Sequence, residues 1–394
     1  MRKPLATLCL VSLAGSSIAA PQGVGARTNA MGGAEVASAN YRNAGLANPA
    51  LLARHKERED WGVVLPALSA LASDPDNLVD AAEAFVDEFD RIEAIFNVPA
   101  APTQADLDAL AAALDDLDQR LVNFDVNAGF TVAVPSNSLG LTIVVENRVS
   151  GLSFMDVDPA DAAAISGAFG GTTLPDLLSN AVVSAALISN YGVAMARTFQ
   201  VGGKNLSVGV TPKVQVVETF NYRIDADDFD PDDETGDFTD EAFRRSESNF
   251  NVDAGLLLEA TDKVSVGLAL RNLIGSDIQS VTTLGEQYTY SIDPMATLGA
   301  SWNAGGVTLA ADVDLTKTEP FDFAAGSQFV GVGAELGWGW GQVRGGYRMD
   351  LENEREDLLT AGLGFSPWGV FTLDLAGSVG EETFGASLQL GWSF

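Results

Sequence analysis

The chain has 394 residues, 46% of them hydrophobic and 40 of them glycine, with 54 acidic against 22 basic side chains and a formal charge of −32. Nucleic acid is excluded as a direct partner, because binding it needs clustered Lys and Arg to displace phosphate counterions. A single cysteine, Cys9, excludes a disulfide framework, a cysteine zinc site and a thiol redox motif.

Met1-Arg2-Lys3, the apolar run Leu5 to Leu13 and the small residues Ser17-Ile18-Ala19 form a secretory signal, with cleavage expected after Ala19. Cys9 follows Leu8 rather than a small residue, which speaks against a lipoprotein anchor. Beyond residue 20 no apolar run reaches the roughly 18 residues that a spanning helix needs.

Period-two alternation recurs instead. Phe394, Trp392, Leu390, Leu388, Ala386 and Phe384 share one strand face, opposite Ser393, Gly391, Gln389, Ser387, Gly385 and Thr383. Similar runs suggest fourteen strands, near 61–68, 125–135, 138–148, 187–199, 205–224, 247–260, 264–273, 287–302, 307–316, 328–338, 342–351, 358–366, 370–379 and 383–394. A soluble sandwich also alternates, so connection lengths decide. Every second connection is tight and carries turn residues, as in Gly202-Gly203-Lys204-Asn205 and Asn303-Ala304-Gly305-Gly306. Most of the others are long and polar. That asymmetry predicts an all-β transmembrane barrel in a Gram-negative outer membrane, with lipid as its first partner and the short turns periplasmic. All six tryptophans (Trp61, Trp302, Trp338, Trp340, Trp368, Trp392) fall at the short-turn rim. Tyr222, Tyr288 and Tyr290 fall at the opposite strand ends. Both placements suit an aromatic belt at the membrane interface.

Two insertions interrupt the strands. Residues 74–121 read as a helical hairpin. Leu78, Ala82, Phe85, Phe89, Ile92 and Phe96 form one seam, and Leu107, Leu110, Leu114, Leu117 and Leu121 the other. Asp74 is placed to cap the first helix, and Thr103 with Asp106 forms a capping box on the second. Residues 149–186 form a long outer loop, helical from Asp158 to Phe169.

The outer loop 225–246 is very acidic, with ten carboxylates in residues 225–241. Asp230, Asp232, Glu234 and Glu241 could fall at positions one, three, five and twelve of a calcium loop. Gly236 then sits at position seven, where an EF-hand needs its glycine at six. A solvated acidic loop is the expectation, with calcium as its alternative and no other cofactor.

Before the first strand stand Arg27, Met31-Gly32-Gly33-Ala34 and then Asn48-Pro49-Ala50. An R-x-x-x-M-G-G-A stretch followed by N-P-A resembles the long-chain fatty-acid transporter (FadL-like) superfamily of outer-membrane barrels. With a helical insert after the first strand, the chain is more similar to the plasmid-transfer-operon TraF-like family. The resemblance implies a fourteen-stranded barrel whose N-terminal segment, here 20–58, folds inside the lumen as a hatch ahead of the barrel 59–394. A periplasmic thioredoxin-like conjugation protein shares the family name, but without Cys-x-x-Cys nothing of thiol chemistry carries over.

Strand parity turns Lys213, Asp253, Glu259, Arg271, Asp312, Asp314, Arg344, Arg348, Asp350 and Asp374 into the lumen. Their mixed signs suit pairing with one another and with the hatch, and Arg271, Arg344 and Arg348 could instead receive a carboxylate. Catalysis is not expected, because no serine can be paired with the sole histidine, His55. The closer family implies a surface component serving conjugation or another envelope assembly, with other envelope proteins as partners. The superfamily implies, as the alternative, a passive channel for a small hydrophobic ligand.

Overall fold

The computed structural model describes residues 23–55, 60–96, 101–118, 120–136, 138–226 and 240–394. The expected signal sequence and most of the acidic loop, including Asp230, Asp232 and Glu234, lie outside them.

Fourteen antiparallel strands close into one barrel. In chain order they are β1 (Gly62–Ser73), β2 (Leu121–Val134), β3 (Gly140–Asp156), β4 (Asn180–Val201), β5 (Lys204–Asp225), β6 (Arg244–Glu259) and β7 (Val264–Arg271). A separate two-stranded sheet follows, β8 (Ser276–Gln279) with β9 (Thr289–Ile292). The wall resumes with β10 (Met295–Ala304), β11 (Val307–Asp314), β12 (Phe329–Trp338), β13 (Gly341–Asp350), β14 (Leu358–Phe365), β15 (Phe371–Val379) and β16 (Thr383–Ser393). β1 pairs with β16 to close the wall. Outside this seam Trp61 stacks on Phe394, with ring centroids 4.2 Å apart. No helix among the described residues is long and apolar enough to cross a membrane. Every backbone group crossing the bilayer must find a partner, and a closed barrel provides one without an open edge.

The wall is lopsided. β4 and β5 have 22 residues each, whereas β11 and β14 have 8. About ten residues suffice for a transmembrane strand. The upper halves of β3 to β6 therefore stand clear of the membrane on the long-loop side, and the residues expected to begin a loop at 149 continue β3 to Asp156. There Leu152, Ala186 and Val217 pack against Ile278, Tyr288, Tyr290, Ile292 and Phe321. This corrects the expectation of one wall strand over 287–302. Residues 289–292 belong to the β8–β9 sheet, and the wall strand begins only at Met295. Tyr288 and Tyr290 are accordingly buried in a cap rather than seated at the lipid interface. The Tyr288 hydroxyl lies 2.7 Å from the Ala185 carbonyl and 2.8 Å from that of Phe220. Burial pushes its pKa well above the ordinary tyrosine value, so it stays a donor.

The insertion after β1 folds as α2 (Leu78–Phe96) and α3 (Gln104–Asp115), following a short α1 (Ala26–Ala30) in the N-terminal segment. The second helix ends six residues before the expected limit. Leu117 still packs in the helical core, and Leu121 opens β2. Both seams meet, and α4 (Asp161–Gly167) joins them through Ile165. Asp74 accepts from the Leu78 and Val79 amides at 2.6 and 3.1 Å, and the Thr103–Asp106 capping box forms. The Asp106 carboxylate accepts from the Thr103 hydroxyl and amide and from Arg91, which together hold its pKa down at about 2. Because that value lies below the unfolded one, the contribution is complete above about pH 4 and lost as pH falls towards 2. The protection factors of the amides in residues 104–107, each referred to the intrinsic exchange rate at the same pH, are therefore expected to fall over that window. In Asp106→Asn they should already be low at neutral pH and should not change further with acid.

Candidate functional site

Residues 24–53, with α1 and two short 3-10 turns, are almost wholly buried and pack against side chains and glycines of the wall strands. Gly32 and Gly33 both hold positive φ, +66° and +88°, a region that other residues rarely enter. The Gly33 amide returns to the Thr28 carbonyl at 2.9 Å and closes the turn. A Cβ on Gly32 would overlap the Tyr347 carbonyl and lie 2.7 Å from that of Val332. Glycine is required here by both conformation and space. Met31 is fully buried beside Ala34 and Ala310, and Thr360 bridges the turn by accepting from Gly32 N and donating to Ala30 O.

Asn48 is fully buried and caps the 3-10 turn Pro49–Ala53. Its Oδ1 accepts from the Ala50 amide at 3.0 Å. Its Nδ2 donates to Val36 O at 2.9 Å and to Leu256 O on β6 at 3.1 Å. Pro49 and Ala50 lie against Gly209 of β5, where any side chain would collide with them.

The expected lumen-facing charges divide into two groups. Arg271 donates to Glu35 at 2.5 Å and to the carbonyls of Leu46 and Ala47. Asp312 accepts from the Glu35 and Val36 amides at 2.7 and 2.8 Å. Arg344 joins Asp374 and Glu335, each at 2.6 Å, and Glu335 reaches Arg27 at 2.9 Å. A line of four charges thus ties α1 to three wall strands. Asp314 and Arg348 belong to the other group, holding wall to wall. Asp314 accepts from Thr297 and from the Phe329 amide, and the Arg348 guanidinium lies 4.1 Å from the Phe329 ring centroid. Lys213 pairs with Asp253 at 2.9 Å. Arg271 and Arg344 are therefore engaged by carboxylates of the protein itself, so neither is set to receive one from a ligand.

Glu335 was not among the residues expected in the lumen. It alternates with Ala334 and Leu336 on β12, so strand parity alone would have found it.

Three small cavities, of about 50, 60 and 70 Å³, lie inside the wall, the first two against the N-terminal segment. Met295 lines all three, and Arg148, Arg271, Asp125, Glu146 and Lys213 are among their other walls. One water needs roughly 10–15 Å³ of such space, so each cavity has room for a few waters. These spaces are narrow, and charged side chains line each of them.

A larger space, about 850 Å³, lies on the outer face of the wall. Gly345, Ala361, Gly377, Ala386 and Ala70 are successive cross-strand partners from β13 through β16 to β1. Four of them, all but Gly345, line the groove, and Leu68, Val343, Leu363, Leu375 and Leu388 border it. On the inner face of the same strands Gly346 meets Met31 and Gly32, and Gly362 meets Ala30. Here the wall is little thicker than its backbone.

No group of His, Cys, Asp or Glu among the described residues is arranged to hold a metal ion. Of the calcium candidates only Glu241 is described, and it opens a single 3-10 turn to Phe243. His55 is half-buried at the end of the N-terminal segment.

Similar solved structures include the monoaromatic hydrocarbon channel CymD, 13% identical with a TM-score of 0.53, covering 94% of this chain and 98% of that one. The P. putida toluene transporter TodX is 11% identical with a TM-score of 0.55 over 95% and 99% of the two chains. A Pseudomonas aeruginosa FadL homologue is 10% identical with a TM-score of 0.52 over 96% and 98%. At these identities the likeness is one of fold. No curated protein matches the chain. A closed, even-stranded barrel with large apolar side chains facing outward is an outer-membrane protein of a Gram-negative bacterium. The family model described as "F plasmid transfer operon, TraF, protein" matches residues 45–314, well over half of the sequence, and the chain belongs to that family.

Proposed function

We propose that the protein is a passive outer-membrane channel for small hydrophobic compounds, exchanging them at the lipid face of the barrel rather than along its axis. The groove of about 850 Å³ carries this reading, because it is apolar and backs directly onto the N-terminal segment through a thin wall. An apolar solute would lose free energy entering the charged axial cavities and gain it in a leucine-rimmed groove. The fold shared with hydrocarbon channels supports the same reading. No catalytic step is part of it.

Vesicles containing the protein should equilibrate a toluene-sized compound faster than protein-free vesicles. The double variant Ala361→Trp, Ala386→Trp fills the groove from the lipid side, where large apolar residues are tolerated. It should cut the protein-dependent flux at least tenfold while the barrel still folds. Flux equal to that of empty vesicles would overturn the channel reading.

A second reading, a non-conducting envelope component serving conjugation, draws on the family membership and on the closed interior. Its interaction element would be the three-helix cap of α2, α3 and α4. It expects no flux, and binding to envelope proteins that disappears when residues 78–115 are replaced by a short linker while the barrel persists.

A further inference from the structure

Residues 24–53 touch every one of the fourteen wall strands. At the closing seam, Asn29 donates to Ser387 and Asn43 to Gln389, both on β16. Tyr41 and Arg42 pack over Gly62 of β1, and Thr131 of β2 donates to the Arg42 carbonyl. Leu52 and Gly45 rest on β3, and the turn Pro49–Ala53 packs against β4. Pro49, Asn48 and Glu35 meet β5, β6 and β7. Ser301 of β10 donates to Ala37 O, and the contacts to β11 through β14 are those described above. α1 lies along β15.

The wall is cut to receive this coil. Inward-facing glycines stand where the segment's backbone passes: Gly209, Gly255, Gly267, Gly331, Gly333 and Gly346. Each would drive a side chain into main-chain or Asn48 atoms. Glycine weakens a strand, since it packs nothing and loses more conformational freedom than other residues on ordering. Two patches of inward glycines, on β5 to β7 and on β12 and β13, suit a wall that forms with its occupant in place. The seam also joins strands at opposite ends of the chain, so its closure carries a large loop-entropy cost before any contact offsets it. A segment already bound to both sides of the seam lowers that cost.

We propose that residues 24–53 are an internal template on which the barrel closes, and that they stay docked thereafter, so that no opening of the pore involves their release. This holds whether or not the barrel conducts.

Adjacent glycines on β13 provide the test in the full chain. Gly346 faces the segment, whereas Gly345 faces lipid. Both substitutions replace glycine by the same β-favouring residue at neighbouring positions of one strand. Gly345→Val should fold into a heat-modifiable barrel as the parent does, and Gly346→Val should lose at least nine-tenths of the closed form. A Gly346→Val barrel that closes as efficiently as Gly345→Val would overturn the template, with or without the segment inside. A second measurement keeps the question open to failure if valine is simply too large. Ala37→Cys in the otherwise unchanged chain should resist a membrane-impermeant thiol reagent for hours in the folded barrel and react within minutes in urea. Labelling of the folded barrel at the rate of an exposed cysteine would show that the segment leaves, and would overturn the proposal.

Discussion

Glu335→Ala is expected to destabilise the barrel by about 3–5 kcal/mol, since removing one partner of a buried ion pair strands the others. Glu335 sits between two guanidiniums, with Arg27 at 2.9 Å and Arg344 at 2.6 Å. Arg344 would keep Asp374 and Arg27 would keep only the Ser38 carbonyl. The loss therefore falls mainly on Arg27 and on the docking of α1. Partial exposure of the Arg27 and Glu335 side chains, 11% and 15%, argues for the lower half of that range. Glu335→Gln keeps an acceptor in place and should cost less than the alanine variant. Urea unfolding of the refolded barrel measures both. Added salt separates a buried network from a surface effect, because exposed charges are weakened as ionic strength rises whereas buried pairs are screened much less. If Glu335→Ala loses less than about 1 kcal/mol, the usual ceiling for exposed pairs, the four charges are solvated and the line between α1 and the wall carries no load.

The C-terminal half of the wall was readable strand by strand. The run expected at 328–338 is Phe329–Trp338, and that at 342–351 is Gly341–Asp350. Lipid on one side and a polar lumen on the other impose the alternation there. The reading failed where that contrast vanishes. Above the membrane, Val149 to Asp156 has protein or water on both faces, so β3 passed for a loop. Tyr288, Tyr290 and Ile292 alternate as a wall strand would, yet they serve a two-stranded cap, and Pro294 marks the break before Met295. In the interior, parity identified which charges point inward but not their partners. Arg271 and Glu35 lie 236 positions apart, and no local pattern records such a pair. The inward glycines are themselves a sequence signal: Gly331 and Gly333 stand two positions apart on one face of β12, on a strand where glycine is otherwise a defect.

Asn48→Asp should be the most damaging isosteric change in the N-terminal segment, exceeding Asn48→Ala. The amide fills three roles at once, accepting from Ala50 N and donating to two carbonyls, on Val36 and Leu256. Alanine leaves those three groups with one fewer partner each. At about 1–3 kcal/mol for each buried group left unsatisfied, a loss of about 2–4 kcal/mol follows once part of the coil relaxes. Aspartate keeps the acceptor for Ala50 but turns a carboxylate oxygen toward two carbonyl oxygens, in a site with no measurable exposure. Repulsion and desolvation then add to the lost bonds, and no described cation bonds to Asn48 to offset them. The backbone of Gly255 lies against the side chain, since a Cβ there would fall on Asn48 Oδ1, so the aspartate has no room to turn away. The measurement is urea unfolding at pH 7 and again at pH 4. Protonation should recover part of the aspartate variant's loss and none of the alanine variant's, since a neutral acid can donate once where the amide donated twice. Equal stabilities for the two variants at both pH values would mean that water reaches the site and that the Asn-Pro-Ala turn is held by its backbone alone.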